Sequence, residues 1–201
     1  MLDTPAIETP AIEALGLLEI DGIPRAIRAQ DEALKRAPVD VVAFAPVSPG
    51  KVIFILSGDV ASVEESLEAA DEVAGSRRID HLFLPGVDPQ VVTALLGERQ
   101  DVDPSGALGT LEFSTVAAGI LAADCAVKAC EVHLGRLHLA SGFGGKAYFT
   151  LWGSQSDVEA AVEAAVDLVG EKAIDFDVIP APSPDLDPNR FVRPWALDPA
   201  E

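Results

Sequence analysis

Pro46-Val47-Ser48-Pro49-Gly50-Lys51-Val52-Ile53-Phe54-Ile55, a Gly-Lys loop feeding an apolar strand, returns in the same chain as Ala140-Ser141-Gly142-Phe143-Gly144-Gly145-Lys146-Ala147-Tyr148-Phe149. Similarity spreads outward from both loops. Upstream, Ala14-Leu15-Gly16-Leu17-Leu18-Glu19 recurs as Ala107-Leu108-Gly109-Thr110-Leu111-Glu112, and Asp31-Glu32-Ala33-Leu34-Lys35 recurs as Asp124-Cys125-Ala126-Val127-Lys128, both 93 residues later. Downstream, Gly58 to Glu64 matches Gly153 to Glu159, Gly75 matches Gly170, and Leu84-Pro85 matches Ile179-Pro180, all 95 residues later. An offset that steps once and is constant on either side is the mark of a duplicated domain with one small loop insertion.

The 201 residues therefore divide into two domains of roughly 90 residues each. With 49% hydrophobic residues and a mean hydropathy of +0.27, there is apolar material for two cores and for subunit contacts. A formal charge of -19 argues against nucleic acid or an anionic membrane as a partner, because both surfaces would repel this chain. Met1-Leu2-Asp3-Thr4 has no basic character, and charge breaks every apolar run well short of the about 18 residues a membrane helix needs. Neither a signal nor a span is expected, which points to the cytoplasm.

Cys125 and Cys130 lie five apart on a helical stretch, where they point to different faces, so they read as small buried side chains and not as metal ligands. His81, His133 and His138 fall on strand-like segments. Odd spacing is expected to put His133 and His138 on opposite strand faces.

In chain order, residues 1–13 form an arm without a helical or strand period. Residues 14–20 read as a buried strand, and Asp21-Gly22 turns into a helix with Pro24 in its first turn, ended by Pro38. Ile23, Ala26, Ile27, Gln30 and Leu34 share one face of that helix, opposite Arg25, Arg28, Glu32, Lys35 and Arg36. Val39 to Ala45 and Lys51 to Leu56 form an antiparallel hairpin around the Pro46 to Gly50 loop. A second helix follows, capped by Ser62 or Asp59 and closed by Gly75, with Val63, Leu67, Ala70 and Val73-Ala74 as its core stripe. Ile79 to Leu84 is the last strand.

One copy is thus β-α-β-β-α-β, the ferredoxin-like pattern of two helices on one face of a four-stranded antiparallel sheet, and the fold class is α+β. The copies occupy residues 14–86 and 107–182. A linker, 87–106, holds a short helix at Pro89 to Leu96, and the tail, 183–201, is rich in proline. Phe191, Val192 and Trp195 in the tail are too apolar to stand wholly in water, so it is expected to pack on its own domain or on a neighbour.

The sequence resembles the tandem-domain, trimeric, unpermuted shell proteins of bacterial microcompartments, over about residues 14–182. The carriers are the Ala-Leu-Gly-x-Leu-Glu strand in both copies, the helix ends at Asp31 to Lys35 and Asp124 to Lys128, both Gly-Lys loops, and Gly58 to Glu64. The resemblance implies a shell location and three chains in a flat pseudohexamer, tiling with hexameric and pentameric shell proteins. The hairpin loops would ring a pore for small metabolites. By position, Ser48, Pro49 and Gly50 would alternate with Phe143, Gly144 and Gly145 around that pore. Lys35 and Lys128 would lie at the edge between discs. Some trimeric relatives hold an iron-sulfur cluster on a cysteine in the first loop. Here that position is Ser48, a poor ligand for such iron, so no cofactor is expected. Many shell domains carry an arginine after the last strand, where this chain has Pro180-Ala181-Pro182.

Glycine and proline suit loops that converge on an axis, and a rim of backbone groups and serine hydroxyls supplies no nucleophile-base pair, so no enzymatic activity is expected. Taken alone, the Gly-Gly-Lys loop is an ordinary hairpin turn with a solvated lysine, and Lys35 and Lys128 are lysines complementing helix C-termini. A phosphate-binding loop is excluded, because Lys146 is followed by Ala147 and by a strand where a helix is required. Two other functions stay open: a ferredoxin-like sensor or enzyme with a cleft between the copies, and a closed tile that transports nothing, with Phe143 deciding between tile and channel.

Overall fold

The computed structural model describes residues 12–97 and 106–186. The first copy runs β1 (Ala14–Asp21), α1 (Ile23–Arg36), β2 (Asp40–Val47), β3 (Lys51–Gly58), α2 (Val60–Ala74) and β4 (Arg78–Pro85). After α3 (Pro89–Leu95) the second copy repeats the order as β5 (Ala107–Phe113), α4 (Val116–Ala129), β6 (Val132–Leu139), β7 (Ala147–Gly153), α5 (Gln155–Val169) and β8 (Ala173–Ile179). Each copy folds one antiparallel sheet, in the orders β2-β3-β1-β4 and β6-β7-β5-β8. The helices of each copy cover one face. A Cβ built on Gly16 would lie 2.7 Å from Leu56 Cδ1 and 3.2 Å from Val63 Cγ1, so only glycine lets α2 approach β1 this closely, and Gly109 repeats the arrangement under Val158 and Val162.

Strand alternation then puts Leu15, Leu17 and Glu19 on the face of the first sheet that carries no helix of its own. That face is nonetheless buried. Leu15, Leu17, Ile53, Ile55, Leu82 and Leu84 belong to one apolar cluster with Val116 and Ile120 of α4, so the second copy covers the open face of the first. Helix α4 also packs tightly on its own sheet, where a Cβ on Gly119 would come within 2.5 Å of Ala147 Cβ.

Most element boundaries agree with the sequence to within two residues, and the short helix in the linker is present as α3. Three readings need correction. The buried stripe of α1 is Ala26, Ala29 and Ala33, and Ile23, Ile27 and Leu34, grouped with Ala26 as one face, are exposed. Small residues are what let α1 lie close to the sheet, which leaves the larger apolar ones outward. His133 and His138 do share a face, since they pair with Trp152 and Tyr148, and the bulge between Leu134 and Arg136 absorbs the odd residue. Cys125 and Cys130 are half-buried, and Cys130 caps α4 without being part of it. The cap of α2 is Asp59, which accepts from Ser62 N at 3.0 Å. The arm's residues 1–11 and the tail's Phe191, Val192 and Trp195 lie outside the described residues.

Candidate functional site

The junction between the copies is built around Glu19. The alternation of β1 points this carboxylate at the second copy, where it is fully buried, pairs with the ammonium of Lys51 and accepts from Ala117 N at 2.8 Å in the first turn of α4. Burial raises the Glu19 pKa, and Lys51 and the Ala117 N–H act against that rise. Beside it, Asp80 accepts from Thr115 Oγ1 at 2.6 Å and from Lys172 Nζ at 2.8 Å. Burial would push the Asp80 pKa up, but Lys172, Thr115 and the His81 N–H outweigh it and hold the carboxyl below its ordinary value. At the other end of α4, Lys128 Nζ donates to Asp124 Oδ2 at 2.6 Å and to the Gly86 carbonyl at 2.7 Å. Gln90 of α3 closes the edge of β6, donating to Val132 O at 3.2 Å and accepting from Leu134 N at 2.9 Å.

Two of the sequence-selected loops meet at this junction. A Cβ built on Gly145 would lie 2.8 Å from Lys51 Cε, 3.1 Å from Ser48 O and 3.3 Å from Pro49 Cδ, and Gly145 has φ +78, so both space and backbone demand glycine. Ser48, Pro49 and Gly145 are therefore neighbours, while Gly50 and Gly144 stay exposed at the loop tips. Phe143 does not stand free. Its ring makes edge contacts with His138 at 6.1 Å and Tyr148 at 5.4 Å between centroids, and Lys146 Nζ lies 5.7 Å from its centroid. His138 Nε2 donates to Ser141 O at 2.7 Å, and burial lowers the pKa of this ring. Lys146 also bonds Glu112 at 2.7 Å, repeating the Lys51–Glu19 pair in the second copy. Among the described residues no three His, Cys, Asp or Glu side chains come together as metal ligands, and no helix is long and apolar enough to cross a membrane.

The first copy leaves uncovered what the second has buried. Ile23, Ile27 and Leu34 of α1 are 50%, 54% and 47% exposed, whereas Val116, Ile120 and Val127, their counterparts in α4, are 0%, 0% and 9% exposed. The open face of the second sheet likewise carries a cleft of about 180 Å³ lined by Glu112, Tyr148, Asp175 and Asp177, where the first sheet receives α4. Lys35 pairs with Asp31 on the surface of α1, as Lys128 pairs with Asp124. Sequence reading missed Glu19 and Asp80. Their signal was present, because Glu19 with Lys51 recurs as Glu112 with Lys146, and Asp80 recurs as Asp175.

A repeat that buries one side of its neighbour and leaves the same side of its own first copy unfilled has the character of an assembly protein. The model of the BMC domain family matches residues 14–87 and again 107–182. The bacterial microcompartment shell protein PduT of Citrobacter freundii is 40% identical over 172 residues, 85% of this chain and 93% of the relative. The carboxysome shell protein CcmK2 of Synechococcus elongatus is 36% identical over 72 residues, 34% of this chain and 71% of the relative. Among solved structures, a microcompartment protein from Desulfitobacterium hafniense superposes with a TM-score of 0.76 at 40% identity, covering 86% of this chain and 97% of that one. A fused permuted hexameric shell protein superposes at 0.60 with 22% identity, covering 77% and 82%, which is a likeness of fold. The chain belongs to the BMC-domain family of bacterial microcompartment shell proteins, and it is a structural tile of such a shell.

Proposed function

We propose that three copies of this chain close into a flat ring of six domains, a homotrimeric tile whose hairpin loops border a central pore for small polar metabolites. One observation carries the reading: α4 is buried by the first copy, and the equivalent side of α1 is bare. A heterologous contact used once within the chain and left open at both ends is satisfied by repeating it between chains until the ring closes. Ring closure would bring Asp175 to Arg77 of the next chain, as Asp80 meets Lys172. It would place Glu112 at the start of the next α1, where Pro24 stands in the position of Ala117 and has no N–H to give, so the contact between chains relies more on Lys146. The tile acts by assembly and passage, without catalysis.

The contact of Gly145 with Ser48 and Pro49 supports alternation of the two loops around the axis, with Ser48, Pro49, Gly50, Phe143, Gly144 and Gly145 bordering the opening. Backbone groups and serine hydroxyls there would favour small polar solutes. Because Phe143 is held back by His138, Tyr148 and Lys146, the open channel is favoured over the closed tile. Lys35, 61% exposed, and Lys128, 42% exposed and already bonded to Gly86 O, would serve contacts at the disc edge with other shell proteins. Phe143→Ala, inserted in planar bilayers or rebuilt shells, is expected to raise the conductance to small polar solutes, since three rings leave the rim. Unchanged conductance would place Phe143 away from the pore.

A further inference from the structure

We propose that Asp31 and Lys35 form a receptor for the backbone turn at residues 181–186 of the neighbouring chain, a clasp within the ring that rests on the trimeric reading above. The precedent lies inside the chain. After β4, Asp88 caps a turn by accepting from Gln90 N at 2.8 Å, Val91 N donates to Asp88 O at 3.0 Å, and Pro89 occupies the first helical position. This turn is seated on the second copy. Asp88 N donates to Asp124 Oδ1 at 2.8 Å, Lys128 Nζ donates to the Gly86 carbonyl at 2.7 Å, and Val91 is fully buried.

The same turn is built after β8. Ser183 Oγ accepts from Asp185 N at 3.3 Å, Leu186 N donates to Ser183 O at 2.9 Å, and Pro184 stands where Pro89 stands. Among the described residues, no hydrogen bond from another element reaches Ala181 or Ser183. The matching seat is on α1, where Asp31 and Lys35 are the counterparts of Asp124 and Lys128 and are already paired with each other. Leu34 and Val41, the counterparts of Val127 and Leu134, are exposed beside them.

In the ring, Asp31 accepts from Ser183 N of the neighbouring chain, Lys35 donates to its Ala181 carbonyl, and its Leu186 covers Leu34 and Val41 as Val91 covers their counterparts. Asp185 stands in for Gln90. Its carboxylate can accept from Val41 N but cannot donate to Val39 O, so this clasp keeps half of the Gln90 bridge. An ammonium has three donors, so Lys35 holding Asp31 and a carbonyl keeps one for a neighbouring disc.

The test uses the full chain with Cys125→Ala and Cys130→Ala, carrying Asp31→Cys and Ser183→Cys, two exposed positions whose replacement leaves the core untouched. Mild oxidation is expected to link chains into covalent dimers and trimers on a non-reducing denaturing gel, because the clasp brings the two backbones within disulfide reach. In the otherwise unaltered chain, Lys35→Ala is expected to raise the trimer's dissociation constant about tenfold or more through the loss of a charge-assisted bond at each interface. A trimer by light scattering whose chains stay unlinked, with no change on Lys35→Ala, overturns the clasp and leaves the ring standing. A monomer by light scattering overturns the ring and the clasp with it.

Discussion

Glu19→Ala is expected to lower the melting temperature by about 10 °C or more, the largest single-residue effect the structure supports outside the apolar core. The substitution removes the partner of a buried ammonium, Lys51, and an acceptor for Ala117 N at the start of α4. Breaking a buried pair by deleting one member costs about 3–5 kcal/mol, because the remaining charge stays desolvated. In a cooperative unit of this size each kcal/mol is worth about 2–4 °C. Glu19→Gln keeps an acceptor for Ala117 N and should lose less. Glu19→Leu with Lys51→Met should recover part of the loss, since an apolar pair of similar volume leaves no unpaired charge, while the Ala117 N–H still loses its acceptor. Differential scanning calorimetry of the four proteins decides the matter. A Glu19→Ala chain that melts with the parent would show that the junction does not depend on this pair.

Ile27→Glu is expected to leave each chain folded and abolish the trimer. Its side chain is more than half exposed in the single chain, so a carboxylate there meets water while the chain is alone. In the closed ring it would be buried against the second sheet of the adjacent chain, whose open face already carries Glu112, Asp175 and Asp177, at a cost well above the about 1.5–3 kcal/mol that a buried isoleucine contributes, and at three interfaces. Ile120→Glu, the same position in the second copy, should instead prevent folding, because Ile120 is fully buried within the chain. Circular dichroism with light scattering separates the two. A folded Ile27→Glu trimer would mean that α1 faces solvent in the assembly.

The repeat made the fold readable, since element order, strand pairing and both hairpin loops followed from segments recurring at two constant offsets. What escaped is instructive in α1. The alanines at 26, 29 and 33 seat this helix on its own sheet, while the larger Ile23, Ile27 and Leu34 face outward, toward the neighbour in the proposed ring. Periodicity alone ranks the larger residues as core. Glu19 was hidden for the opposite reason, because an acidic residue inside an apolar strand reads as facing solvent until the second copy is docked against it. The alternation rule failed for His133 and His138 at a bulge where Gly135 is close-packed under Trp152, with a built Cβ only 2.8 Å from Trp152 Nε1. The contacts of Phe143 with His138 and Tyr148 depend on tertiary packing that no local pattern encodes.

The proposed ring forms when the contact between the two copies is repeated between chains until three have closed. Multi-angle light scattering of the purified full chain across a dilution series tests it most directly. A closed ring gives a single species of about 63 kDa, three times the 21.0 kDa chain, persisting to low micromolar concentration. A monomer of 21.0 kDa at every concentration, or a species of two or four chains, would contradict it.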